Sequence, residues 1–190
     1  MDHKEDGMKK QQKKLFNIGA WSVIILFILR CVISWESIIE GVSLYGLFGF
    51  ASEAISVTVI LLGVYEEFLW RINPFEKTPK LAKRYIGILK SNYDQIERNA
   101  SLKIKQTLLS VHVTLITNES KSKSISASID EVLGELQLTY CYLNTPKAEF
   151  RFRSEIHYGT ATLSIADPLT LEGQYYTDRM TNGDMVFTAQ

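Results

Sequence analysis

Tyr140, Tyr142, Arg151, His157, Tyr175, Thr177 and Arg179 are the side chains of this 190-residue chain whose types and spacing could act together. Tyrosine rings stack on nucleobases, and an arginine grips a phosphate through two parallel hydrogen bonds. The set is suited to holding a phosphate-bearing base rather than to transforming one. Catalysis finds little footing, because the sequence has no nucleophile elbow, phosphate-binding loop or metal-ligand cluster. Of the three histidines, His3 lies in the N-terminal tail, His112 falls on an outward strand face and only His157 points inward. A lone histidine there is more commonly a hydrogen-bonded wall residue than a general base. Cys31 and Cys141 are too far apart in the predicted organisation to form a disulfide, which fits reduced surroundings.

The elements that must position these residues begin after about Thr78, where the sequence turns into short alternating apolar and polar runs. We read strands at Arg84–Lys90, Ser101–Gln106, Ser110–Thr117, Ser122–Glu131, Glu135–Asn144, His157–Ala166, Thr170–Thr177 and Asp184–Ala189, with turn signals such as Asp167-Pro168 and Asn182-Gly183 between them. Eight strands without helices predict an all-β, antiparallel up-and-down barrel over 84–190. A sandwich is the alternative architecture, and the second and third strands, lacking a Gly or Pro turn, also read as one long bent strand. Period-two alternation puts Leu136, Leu138, Tyr140 and Tyr142 on one face, His157, Gly159, Ala161, Leu163 and Ile165 on the next, and Leu171, Gly173, Tyr175 and Thr177 on the third. In an up-and-down chain these rows bring the two tyrosines, His157, Tyr175, Thr177 and the following Arg179 to one mouth. Lys121, Lys123, Lys147, Arg151 and Arg153 fall at that end, and Asp130, Glu131, Glu135 and Asp167 at the other. Asp94 and Glu97 in the first loop run against this sorting. Barrel ends are polar in any case, so the plain alternative is a solvated rim.

A net charge of zero and 46% hydrophobic residues would suit a soluble protein, yet the apolar residues are unevenly placed. Leu15–Trp35 and Leu44–Trp70 each reach the roughly 20 apolar residues needed to cross about 30 Å of hydrocarbon. The chain therefore divides into a basic tail (1–14), a two-helix transmembrane hairpin (15–70), a basic Pro-containing tether (71–83) and the barrel. Lys4, Lys9, Lys10, Lys13 and Lys14 precede the first span, and Arg71, Lys77, Lys80, Lys83 and Arg84 follow the second, while the connector Glu36–Ser43 carries two glutamates and no lysine or arginine. This asymmetry predicts cytoplasmic termini. A cleaved signal peptide fits poorly, since Arg30 interrupts the apolar run and Trp35-Glu36 follows it. Arg30 and Glu53 fall at matching depths of an antiparallel hairpin, so they either pair or leave Arg30 snorkelling to the outer interface. Gly49, Ser52, Glu53 and Ser56, continued by Ile60 and Gly63, form a small, polar stripe at helical spacing. The stripe serves either association between protomers or packing of the hairpin on itself.

Two spans, a basic tether and a β-barrel, together with Lys105-Gln106, Ser122-Lys-Ser-Ile-Ser126, Tyr140-Cys-Tyr142, His157-Tyr-Gly-Thr160 and Leu171-Glu-Gly-Gln-Tyr-Tyr-Thr-Asp-Arg179 with Gly183, resemble the CD-NTase-associated two-transmembrane β-barrel effectors of bacterial CBASS antiphage systems. The resemblance covers essentially the whole chain; Thr107-Leu108 after Gln106 departs from it where an aromatic residue is expected. It implies an avidin-like barrel, no cofactor, and a cyclic dinucleotide ligand made by a partner nucleotidyltransferase during infection. It further implies self-association into homo-oligomers that disrupt the bacterial inner membrane, with no role for a nucleic acid polymer. It marks Tyr142, His157, Tyr175, Thr177 and Arg179 as pocket residues. The expected protein is a non-enzymatic membrane effector. Two other classes stay open: a membrane-tethered, lipocalin-like carrier or sensor without lethal output, and a lipid-modifying enzyme with its site near Glu53.

Overall fold

A computed structural model describes the backbone of residues 3–190 and side chains from Gln11 onward, so His3, Lys4, Lys9 and Lys10 lie outside the described side chains. The chain forms two compact units, residues 1–76 and 77–190.

The first unit is helical. Helix α1 runs His3–Ile33, a short α2 spans Trp35–Ile39, and α3 runs Leu44–Glu67, followed by a 3-10 turn at Leu69–Arg71. Gln11–Ile33 and Leu44–Glu67 are long and apolar enough to cross a membrane. The connector is set by local chemistry: Gly41 at φ +104° ends α2, and Ser43 Oγ accepts from Gly46 N (3.2 Å) to cap α3. Within the hairpin, Ala54 and Thr58 are buried, and a Cβ on Gly19 would come within 2.8 Å of Leu62 Cδ1. Helix packing therefore uses the Gly19, Ala54, Thr58 and Leu62 face. Trp21 and Trp35 are exposed, and Trp70 is fully buried. Glu76, also buried, accepts from Lys14 Nζ (3.0 Å) and Gln11 Nε2 (3.3 Å).

The second unit is a closed barrel of eight antiparallel strands in sequence order, β1 pairing with β8, which excludes the sandwich. The strands are β1 Arg84–Ser91, β2 Glu97–Gln106, β3 Val111–Thr117, β4 Ser120–Val132, β5 Glu135–Pro146, β6 His157–Asp167, β7 Thr170–Thr177 and β8 Asn182–Ala189. β2 and β3 are separate. Their turn is made by hydroxyls instead of Gly or Pro: Thr107 Oγ1 and Ser110 Oγ are 2.8 Å apart, and Thr107 N donates to Ser110 O. β2 also begins four residues earlier than the alternation indicated. A register shift between Ser124 and Ser126 in β4 is a bulge that changes which residues face inward, so Ser122 is buried before it and Ala127 and Ile129 pack on the core after it.

Tyr85, Leu102, Val113, Leu138, Leu163, Leu171 and Phe187 fill the interior. The end where the chain enters is plugged: Leu81 is buried, its N–H donates to Gln106 Oε1 (3.1 Å), Gln106 Nε2 donates to Pro79 O (2.8 Å), and Tyr85 Oη donates to Pro168 O (2.6 Å). Gln106, from the Lys105-Gln106 motif, thus locks the incoming segment against the barrel floor. The β4–β5 hairpin turns through Leu133 (φ +53°) and Gly134 (φ +83°), both left-handed. A fully exposed leucine gains nothing there, whereas asparagine tolerates that conformation. Leu133→Asn should raise the thermal stability of the full chain in detergent by on the order of 1 kcal/mol; an unchanged or lower melting temperature would contradict this.

Candidate functional site

The opposite end of the barrel gathers most of the residues singled out from the sequence. Tyr140 pairs across the sheet with Ala161, which pairs with Tyr175; Tyr142 pairs with Gly159, which pairs with Thr177. The Tyr140 and Tyr142 rings stand 5.8 Å apart at 46°, a tilted contact that favours their electron distributions. Tyr142 and Tyr175 each lie over a glycine of the next strand. A Cβ on Gly159 would fall 2.4 Å from the end of the Tyr142 ring, and one on Gly183, the partner of Tyr175, would fall 2.7 Å from Tyr175 Cε1. Glycine at these two positions lets the rings lie along the wall.

The tyrosines differ in what their hydroxyls meet. Tyr140 Oη is buried with no hydrogen-bond partner among the described residues, an arrangement that costs about 1–3 kcal/mol and that an entering ligand can relieve. Burial pushes its ionisation up, and burial does the same for Tyr142, with Tyr175 and Asp178 adding to the effect. Both therefore remain protonated donors. On the mouth side of Tyr142, Ser122 Oγ donates to Asn144 Oδ1 (2.8 Å) in a buried pair.

The remaining candidates sit on the rim. His157 is half-buried at the start of β6, with Nδ1 2.8 Å from the Glu155 carbonyl. Thr177 is occupied by its own turn: its hydroxyl is 2.7 Å from Thr181 Oγ1 and accepts from Arg179 N (3.2 Å). Arg179 Nη1 donates to Ser154 Oγ (3.1 Å) and Nη2 to Arg153 O (3.4 Å), tying the β7–β8 turn to the β5–β6 loop. Arg151 is exposed on that loop, after the 3-10 turn Ala148–Phe150. Lys121 and Lys123 project from the outer face of β4 instead of lining the mouth, because inward-facing Ser122 lies between them.

Sequence reading missed a chain of charges crossing this mouth. Arg98, three residues before the strand start it expected, belongs to the inward row that continues through Ala100, Leu102 and Ile104. Its Nη1 donates to Asp94 Oδ1 (3.1 Å), its Nη2 to Asp94 Oδ2, and its Nε lies 3.6 Å from Glu119 Oε2. Glu119 Oε1 in turn accepts from Arg153 Nη2 (2.7 Å). The Arg98 hydrogen bonds hold the Asp94 carboxyl down at about 2, with burial opposing and the Ile96 N–H assisting. This folded value is lower than the ordinary 3.8, so the associated stability is present above about pH 3.8 and is lost as pH falls through about 2. At neutral pH the pair is intact. Arg98 and Arg153 are thus charge-paired, whereas Arg179 meets neutral acceptors, and the aromatic wall is covered: Tyr142 is 5% exposed and Tyr175 8%. Asp94, which ran against the charge sorting, is the partner that orients Arg98. Beside the mouth lies a surface depression of about 270 Å³ lined by residues such as Lys90, Gln95, Gln174 and Asp184, and none of the sequence-predicted site residues lines it.

In the helical unit, Arg30 Nε and Glu53 Oε2 are 2.8 Å apart, Arg30 also donates to Ser34 Oγ, and its guanidinium lies over the Phe50 ring at 4.6 Å. Ser52 and Ser56 direct their hydroxyls to the carbonyls of Phe48 and Ser52. A Cβ on Gly49 or Gly63 would meet nothing within 4 Å, so these glycines are not used in packing the hairpin on itself.

Residues 76–189 match a family model described as Cap15, cyclic dinucleotide receptor domain. Along its length the chain is 30% identical over 185 residues to CD-NTase-associated protein 15 of Staphylococcus schleiferi, an alignment that covers 94% of this chain and 97% of that protein.

Proposed function

Since the chain belongs to the Cap15 family of cyclic dinucleotide receptors, we propose that it is a membrane effector of bacterial antiphage defence, gated by a cyclic dinucleotide made by a nucleotidyltransferase. In this reading the barrel is a cytosolic sensor, the two apolar helices sit in the inner membrane with both termini cytoplasmic, and ligand binding promotes association of hairpins and loss of the membrane barrier. The observation that carries it is the joining, on one polypeptide, of two candidate spans to a barrel that matches a receptor domain. The chemistry of the mouth supports it: tyrosines along the wall for bases, an unsatisfied Tyr140 hydroxyl, and Arg98, Arg153 and Arg179 for phosphates.

Coexpression tests the reading. Cells carrying the full chain should stop growing and admit a membrane-impermeant dye only when a cyclic-dinucleotide synthase of matching product is coexpressed. A reporter fused after Gln190 should be active in the cytosol. Ligand binding without growth arrest would favour a membrane-tethered sensor or carrier, and reporter activity outside the cytosol would separate barrel from ligand and defeat the proposal.

A further inference from the structure

Glu119 is shared between two guanidiniums of unequal freedom. Arg98 is the more buried, 20% exposed, and is oriented by Asp94 through two hydrogen bonds, with the Ile96 carbonyl accepting a third (3.2 Å). Arg153 comes from the β5–β6 loop, half-exposed, and reaches Glu119 at 2.7 Å. The Glu119 backbone is fixed in the β3–β4 turn, since its N–H donates to Thr117 Oγ1 (3.2 Å) and its carbonyl accepts from Lys147 N (2.8 Å). Only its side chain is free to exchange partners. The loop it holds is the same one that Arg179 reaches from the other side, and beneath lie Tyr142 and Tyr175, closed to solvent in this state.

We propose that Arg98 is the inner phosphate grip of the barrel and that Glu119 is a latch occupying it, together with Arg153, until a ligand phosphate takes its place. The inference rests on the receptor reading given above. A phosphodiester carries the same single negative charge as the carboxylate and presents two acceptor oxygens, so it can replace Glu119 between the two arginines with the same charge there, while the displaced carboxylate turns to solvent. No bond is made or broken; one anion exchanges for another. Asp94 stays with Arg98 and keeps the guanidinium fork pre-aimed. Once Arg153 bonds the phosphate in place of Glu119, the β5–β6 loop is no longer tied to the β3–β4 turn through that side chain, which uncovers the tyrosine faces for the bases. The second phosphate of a dinucleotide is then available to Arg179. Because binding must first displace Glu119, the apparent affinity is the intrinsic one multiplied by the fraction of molecules already unlatched. The latch therefore sets the ligand concentration at which the protein responds.

The test uses the full chain in detergent micelles and a panel of radiolabelled cyclic dinucleotides, cyclic di-AMP, cyclic di-GMP, cyclic di-UMP and cyclic UMP–AMP, with the tightest binder carried forward. Glu119→Gln keeps the side chain's shape but weakens its hold on both arginines, and it should tighten binding by about 3- to 10-fold. Arg98→Met should weaken binding by about tenfold or more. In the double variant the gain from Glu119→Gln should be much reduced, since the latch has lost its principal target. Weaker or unchanged binding by Glu119→Gln would overturn the latch even where Arg98→Met fails to fold, because that would make Glu119 a ligand contact or a bystander. If the parent binds while both single variants match it, the latch fails and the receptor reading stands. If the parent binds no member of the panel, the receptor reading fails and the latch with it.

Discussion

Arg179→Ala is expected to lower cyclic-dinucleotide affinity by about 10- to 150-fold, the loss of a charge-assisted phosphate contact of about 1.5–3 kcal/mol. Arg179 donates to Ser154 Oγ and to the Arg153 carbonyl, both neutral acceptors. No carboxylate has to be displaced from it, in contrast to Arg98, whose Asp94 and Glu119 partners are anionic. The neighbouring carboxylate, Asp178, is turned away to accept from Tyr158 N (3.1 Å). A phosphate arriving at Arg179 therefore exchanges two neutral hydrogen bonds for two to an anion, and the gain is net. Titration calorimetry on the full chain with its best cyclic dinucleotide measures this directly. Unchanged affinity would reduce Arg179 to a strut between the β7–β8 turn and the β5–β6 loop. A loss confined to thermal stability would say the same.

The barrel could be read from the sequence because most strands hold strict period-two alternation from end to end. Leu138 to Tyr142, Ala161 to Ile165 and Leu171 to Tyr175 each point one row inward, with Leu136 exposed at the strand end, and the chain order of antiparallel neighbours then fixes which strand ends meet. Where the signal was weak, the cause is physical. Thr107 and Ser110 build a turn from side-chain hydroxyls, which leaves no Gly or Pro to mark it. Ile125 sits at a bulge, so one period cannot describe the whole of β4. Arg98 was the consequential omission: Glu97-Arg-Asn99 looks like polar loop, yet Arg98 keeps the parity of Ala100 and Leu102, and extending that parity backwards finds it. What no periodicity could have revealed is Glu119, a turn residue whose side chain reaches two arginines from different strands and loops. Such pairings depend on three segments converging, and the sequence carries no local mark of them.

The same limit applied to the membrane stripe, where spacing alone could not separate packing within a hairpin from association between hairpins. The structure divides the small residues into two faces. Gly19, Ala54 and Thr58 are consumed by the helix–helix contact, whereas Gly49 and Gly63 face open space, and Glu53 is 56% exposed although paired with Arg30. A half-exposed ion pair on an apolar helix is costly against lipid and is normally covered by protein. Contacts of this kind between helices are individually weak, about 0.6–2 kcal/mol, so isolated hairpins are expected to stay apart. If ligand-bound barrels cluster, the hairpins attached to them gain effective concentration, and weak contacts become populated without any new chemistry. Glu53→Leu removes the polar half of that face, and Gly49→Leu fills its open space without touching the hairpin's own packing. Both variants should insert into the membrane fraction at parental levels and bind ligand with parental affinity. Growth arrest and dye entry on synthase coexpression should be abolished in both. Killing at the parental level by either variant, with synthase active, would mean that this face takes no part in the output and that the membrane is breached by another surface.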